Sequence, residues 1–162
     1  MKSLTSMLIT LMLCCSSALA LPEDRDQPIN IKSDHSKLMS DKTTRFWGNV
    51  IVTQGSTQIN ADDLTAIVVD NSTTKLVATG KPVRFQERPK KDEPLTIGNA
   101  NRLELDIQAQ SIALIGNAYL SQDGKEMRAD KIVHDSQSRQ TTAGGGQERV
   151  NVILQPKRKD NK

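Results

Sequence analysis

Two stretches of the chain, 68 residues apart, are built on one plan: Gly48-Asn49-Val50-Ile51-Val52-Thr53-Gln54 returns as Gly116-Asn117-Ala118-Tyr119-Leu120-Ser121-Gln122. At the same offset Ile59-Asn60-Ala61-Asp62-Asp63-Leu64 becomes Met127-Arg128-Ala129-Asp130-Lys131-Ile132 without a gap. A weaker copy lies between them. It opens with Gly80-Lys81-Pro82-Val83 and resumes, after a seven-residue insertion containing Pro89, Lys90 and Lys91, at Ala100-Asn101-Arg102-Leu103. Ser33-Asp34 reads as the remnant of an earlier Ala-Asp position. Units that recur every ~30 to 40 residues bury their apolar faces by stacking on one another.

Within each unit apolar and polar residues alternate, as in Ile29-Asn30-Ile31-Lys32, Val83-Arg84-Phe85-Gln86, Leu103-Glu104-Leu105-Asp106-Ile107 and Val150-Asn151-Val152. Period two sends successive side chains to opposite faces of a sheet. Turn formers separate the runs at Asp70-Asn71-Ser72, Arg88-Pro89-Lys90, Asp123-Gly124 and Gly144-Gly145-Gly146. The expected fold is all-β, made of many short antiparallel strands in repeated strand-turn units.

The first twenty residues address the chain. Lys2 provides a basic start, Met7 to Cys15 an apolar run, and Ala18-Leu19-Ala20 a small-residue cleavage site. The apolar run is too short for a permanent membrane helix. Bulky Met12 and Leu13 ahead of Cys14 argue against lipid attachment there. Residues 1–20 are therefore expected to be a cleaved signal peptide, 21–155 a single domain, and 156–162 a basic tail with Lys157, Arg158 and Lys159. Cys14 and Cys15 leave with the leader, so burial and backbone pairing must hold the mature chain together. Cleavage also takes the net charge from +3 to +2, too little to imply nucleic-acid binding. The tail reads either as a solvated terminus or as a contact for anionic lipid or an acidic partner.

Chemistry-bearing motifs are missing. His35 and His134 stand in polar stretches without metal-ligand spacing to other histidines or cysteines. Asp62 and Asp130 invite comparison with a catalytic carboxylate pair, but they hold equivalent places in successive copies, which suits backbone support at turns. Gly144-Gly145-Gly146 runs into Gln147-Glu148 rather than the Lys-Ser or Lys-Thr of a phosphate loop, and reads as a hairpin turn. Phe46, Trp47, Phe85 and Tyr119 are too few for a base-stacking platform. No catalysis, cofactor or metal is expected.

The strand faces are mostly Ile, Leu, Val and Ala, a wall that suits hydrocarbon chains as readily as other side chains. Each buried methylene contributes about 0.8 kcal/mol, so a twelve-carbon acyl chain gains roughly 8 to 10 kcal/mol before ordering costs. Two outcomes follow from the residues alone: a face open to an apolar ligand, or a closed core whose strand edges recognise partners. The outermost strands, around Ile29 and Ile31 and around Val150, Val152 and Leu154, are candidate partner-binding edges. Strand addition there would extend the sheet, whereas Pro156 and the basic tail offer the alternative of an edge protected from association.

Asp26-Gln27-Pro28-Ile29-Asn30-Ile31 with Ser33-Asp34, the Gly48 to Gln54 segment followed by Ala61-Asp62, Gly80-Lys81-Pro82 and Gly116-Asn117-Ala118-Tyr119-Leu120 together resemble the OstA-like family of periplasmic lipopolysaccharide export proteins. The resemblance runs from about Asp26 to Pro156. It implies an open, twisted β-jellyroll that carries lipopolysaccharide between the inner and outer membranes and holds the lipid A portion in an apolar groove. It also implies contacts with inner-membrane LptC and the periplasmic domain of outer-membrane LptD, head-to-tail self-association, and drive from an inner-membrane ATPase. By position it assigns Ile29, Ile31, Phe85, Leu105 and Ile107 to the lipid path. The chain departs from the family pattern where Leu105 stands for an aromatic residue, and in a shorter Asp70 to Thr74 turn and tail.

The export signal makes a direct prediction: intact mass spectrometry of the protein recovered from the periplasm should give a chain beginning at Leu21.

Overall fold

The computed structural model describes residues 27–39, 42–69, 72–88, 93–138, 140–146 and 149–154. The expected leader at 1–20 and tail at 156–162 lie outside the described residues. The alternating segments form ten strands with no helix among them: β1 (Asn30–Lys32), β2 (His35–Leu38), β3 (Thr43–Gln54), β4 (Thr57–Val69), β5 (Ser72–Glu87), β6 (Thr96–Asp106), β7 (Ser111–Gln122), β8 (Lys125–Asp135), β9 (Gln140–Gly144) and β10 (Asn151–Leu154). All pairings are antiparallel, in the order β1-β3-β4-β5-β6-β7-β8-β10, with β2 also on β3 and β9 also on β8.

The expectation of many short strands needs correction. The six central strands, β3 to β8, run 11 to 16 residues each. Each is long because it continues through a corner. The pairing register shifts between Trp47 and Val50, Asn60 and Asp63, Thr79 and Val83, Asn99 and Arg102, and Ile115 and Ala118. These irregularities form one line across the sheet, and bulges of this kind bend a strand without ending it. β1 and β2 pair with the two halves of β3, and β10 and β9 with the two halves of β8. They behave as single bent strands interrupted at the corner.

The repeated motifs occupy this line. Gly48 and Asn49 have φ of +78° and +47°, and their copies Gly116 and Asn117 have +77° and +50°. Glycine takes such angles freely, and asparagine more easily than most residues. Space is a second constraint: a Cβ on Gly48 would stand 2.7 Å from Asp34 Oδ2, and one on Gly116 3.0 Å from Asn101 Nδ2. Asp130 presses on Gly146 in the same way. The Ser33-Asp34 remnant is thus a working corner, where Asp34 also accepts a 2.8 Å hydrogen bond from Asn49 Nδ2. Gly80 is not in the positive-φ region, but backbone comes close to it: a Cβ there would stand 3.1 Å from the Val83 nitrogen and 3.2 Å from the Pro82 carbonyl carbon. Gly144-Gly145-Gly146 is likewise not a hairpin. Gly145 and Gly146 follow β9 on the way to β10, and both strands pair with β8.

Bending divides the sheet into two arms. The first holds β1, β10 and residues 50–54, 57–60, 83–87, 96–100, 118–122 and 125–129 of the central strands. The second holds β2, β9 and residues 43–47, 63–69, 72–79, 102–106, 111–115 and 131–135. Their inner faces meet in one cluster. Val50, Ile59, Val83 and Phe85 come from the first arm, and Leu64, Leu76, Leu103, Leu114 and Ile132 from the second, all almost completely buried. Fully burying side chains of this size contributes about 1.5 to 3 kcal/mol each. Outside, ion pairs brace the second arm: Lys75 and Arg102 both hold Glu104, at 2.9 and 2.8 Å, and draw its carboxyl below the usual range.

The corner glycines yield a prediction with an internal control. Gly48→Ala forces a side chain into the left-handed region and against Asp34, so denaturant unfolding should show a loss of about 2 kcal/mol. Gly144→Ala, with nothing within 4 Å and no positive φ, should change stability by less than about 0.5 kcal/mol.

Candidate functional site

The inner faces of the two arms are the candidate site, and their chemistry changes with depth. Near the corner the facing side chains are aliphatic. At the tip of the first arm the inward positions turn polar, in the cross-strand neighbours Gln54 and Thr57 and then Glu87, Thr96 and Gln122. Gln122 Nε2 donates to Thr96 Oγ1 at 2.8 Å, and Gln54 Nε2 to the Gln27 carbonyl at 3.1 Å. An apolar interior behind a polar lip suits an amphiphile whose tails enter and whose head stays outside.

The residues expected on the lipid path do not form one cluster. Ile31 pairs in register with inward Val52, and Ile29 packs half-buried on the same core, so both sit at the β1 edge. Phe85 is only 2 % exposed and lies between Ile59 and Gly98 in the centre. Leu105 and Ile107 are half-buried on the second arm. These last two do meet, with Ile112, in a cavity of about 230 Å³ between the arm tips, whose remaining lining includes Gln54, Thr57, Glu87 and Gln110. Ligand cavities are usually about 300 to 1,000 Å³. As shaped, this one is too small for several acyl chains.

The centre is filled by the protein's own side chains, and one residue overlooked in the sequence explains how. Gly98 occupies an inward position where alternation calls for a side chain. A Cβ there would stand 2.8 Å from Leu114 Cδ1 across the arms and 3.3 Å from Phe85 Cδ1. Its absence lets Leu114 and Phe85 interlock. An isolated glycine inside a strand pattern is the signal that could have marked it.

Both expected edges lie at the ends of the strand order. β1 carries Ile31, preceded by Ile29, and β10 carries Val152 and Leu154, preceded by Val150. Val152 pairs with inward-facing Met127, so the apolar inner row continues to the last strand, where Val152 is 48 % and Leu154 67 % exposed.

Asp62 and Asp130 stand on β4 and β8 with three strands between them, so they do not form a carboxylate pair. Nor do the described residues contain a group of three or more metal-ligating side chains. His35 stacks on Trp47 with ring centres 5.4 Å apart, and His134 Nδ1 lies 2.9 Å from Thr141 Oγ1.

Comparison with known proteins places this architecture. Residues 30–140 match the family model described as LptA/(LptD N-terminal domain) LPS transport protein. The lipopolysaccharide export system protein LptH of Pseudomonas aeruginosa is 32 % identical over 161 residues, covering 93 % of this chain and 92 % of LptH. The lipopolysaccharide export system protein LptA of Escherichia coli (strain K12) is 35 % identical over 150 residues, covering 90 % of this chain and 80 % of LptA. The crystal structure of LptH, the LptA homologous periplasmic component of the conserved lipopolysaccharide transport device from Pseudomonas aeruginosa, superposes with a TM-score of 0.78. That match has 27 % identity and covers 83 % of this chain and all of LptH.

Burial separates core from edge in a testable way. Phe85→Ala should cost about 3 to 5 kcal/mol in denaturant unfolding, whereas Leu154→Asp should stay within about 0.5 kcal/mol.

Proposed function

The chain belongs to the LptA/LptD N-terminal-domain family of lipopolysaccharide transport proteins, and on that premise we propose that it is a non-enzymatic periplasmic conduit that carries lipopolysaccharide with its acyl chains between the two arms. The observation that carries this reading is the change from aliphatic depth to polar lip on one inner face. Acyl chains would take the depth and the glycan head the lip.

Because the centre is packed, loading requires the arms to part. The exchange is favourable in kind: aliphatic contacts between Leu, Ile and Val side chains give way to aliphatic contacts with acyl chains, while the tails leave water. Ile29 and Ile31 at one edge and Leu105 and Ile107 at the other arm's tip are the half-buried places where parting begins. Phe85 joins the path once the arms have separated. Release in one direction needs work supplied elsewhere, consistent with the lack of a nucleotide motif in the sequence.

The same reading assigns the two sheet edges to partners. Strand addition at β1 and β10 would continue the inner apolar face from molecule to molecule, joining LptC on one side, the LptD periplasmic domain on the other, and further copies of this chain between them. The packed centre favours a second reading, a closed scaffold that works through its edges alone.

Copurification separates the two. Native mass spectrometry of the purified protein should show retained lipopolysaccharide, and Ile31→Asp should reduce it while the β-sheet circular dichroism signal persists. Equal retention by a folded Ile31→Asp variant would remove Ile31 from the path; absence of glycolipid from the unaltered protein would favour the scaffold.

A further inference from the structure

The outer surface of the first arm carries a polar depression, separate from the inner groove. Asn99, Tyr119, Arg128 and Asn151 are successive register partners across β6, β7, β8 and β10, forming one row on the outward face. With Asn117 from the corner, Arg149 just before β10, and Ala118 and Ala129 they line a depression of about 300 Å³. The lining holds two guanidinium groups, three carboxamides and a phenol, and no carboxylate. Arg128 lies over the Tyr119 ring with its guanidinium carbon 4.4 Å from the ring centre, which fixes the cation in place.

The internal repeat indicates that this chemistry is not needed by the fold. At the offset of 68, Tyr119 corresponds to Ile51 and Arg128 to Asn60, and those two residues are likewise register partners on the outward face. The first copy builds the same strand pair and corner from Ile and Asn. Strand pairing at this position therefore does not require Tyr and Arg.

We propose that this depression binds an anionic sugar, a hexose unit bearing a phosphate or carboxylate. The two guanidinium groups would take the anion, and Arg is suited to bidentate contact with such oxygens. The three carboxamides and the phenol would take hydroxyls, because each both donates and accepts, as a bare anion does not require. Glu126 is the local competitor: its Oε2 lies 3.4 Å from an Arg128 nitrogen, a long contact that an incoming anion would displace.

The test titrates the purified, isotope-labelled protein with glucose 6-phosphate, glucuronate, inorganic phosphate and glucose, following backbone amide resonances. The expected result is a saturable response to glucose 6-phosphate or glucuronate, centred on Asn117, Tyr119, Arg128 and Asn151. Glucose and inorganic phosphate should bind more weakly. Tyr119→Ile with Arg128→Asn installs the first copy's residues, so the fold should survive while affinity falls about tenfold or more. Glu126→Gln should raise affinity. Neither sugar producing a saturable response, or the double variant binding as well as the unaltered protein, would overturn the site. An equal response to inorganic phosphate would overturn its assignment to sugars. Lipopolysaccharide retention by the double variant should be unchanged, which keeps this result independent of the inner groove.

Discussion

The structure depends on one line of bulges. Each central strand crosses it, and each therefore contributes to both arms, so the arms cannot separate into independent sheets. Glycines at Gly48, Gly116 and Gly146 leave room there for Asp34, Asn101 and Asp130. At these three places the glycine and the short polar residue are the two sides of one contact, whereas at Gly80 the nearest atoms are the backbone of Pro82 and Val83. Without the corner, a ten-stranded sheet with one apolar face would have to bury that face against something else. With it, the sheet covers itself.

Self-coverage bears directly on the transport role. The apolar surface that could shelter acyl chains is the same surface through which the two arms pack on each other, and Gly98 allows Leu114 and Phe85 to meet across it. A groove that closes on itself avoids exposing a long apolar trough to water. It opens at the tips, where the cavity lined by Leu105, Ile107 and Ile112 lies, and at the edges, where Val152 and Leu154 are exposed. Under the proposed conduit role, loading would begin at an edge or a tip and proceed by parting of the arms.

Much of this organisation is legible in the residues. The repeat at offset 68 places the corner motifs, period two separates inner from outer faces, and the outermost alternating runs are the sheet edges. Other features are not legible, for identifiable reasons. A bulge changes backbone angles without interrupting alternation strongly enough to be read as a bend, so long folded strands look like pairs of short ones. Gly144-Gly145-Gly146 carries the signature of a hairpin, and only the pairing of both β9 and β10 with β8 shows it to be a corner. Gly98 reads as a weak point in a strand until Leu114 is seen opposite it from the other arm. The outer row of Asn99, Tyr119, Arg128 and Asn151 joins residues from four strands, and only the register brings them together.

The central claim is that lipopolysaccharide enters by parting the arms, and a distance across them tests it most directly. Spin labels at Gln86→Cys on the first arm and Gln108→Cys in the turn after β6 on the second can be introduced into a mature chain expected to contain no other cysteine. Pulsed electron resonance should show the inter-label distance lengthening as lipopolysaccharide saturates the protein and returning when the lipid is removed. An unchanged distance with lipopolysaccharide demonstrably bound would contradict the account.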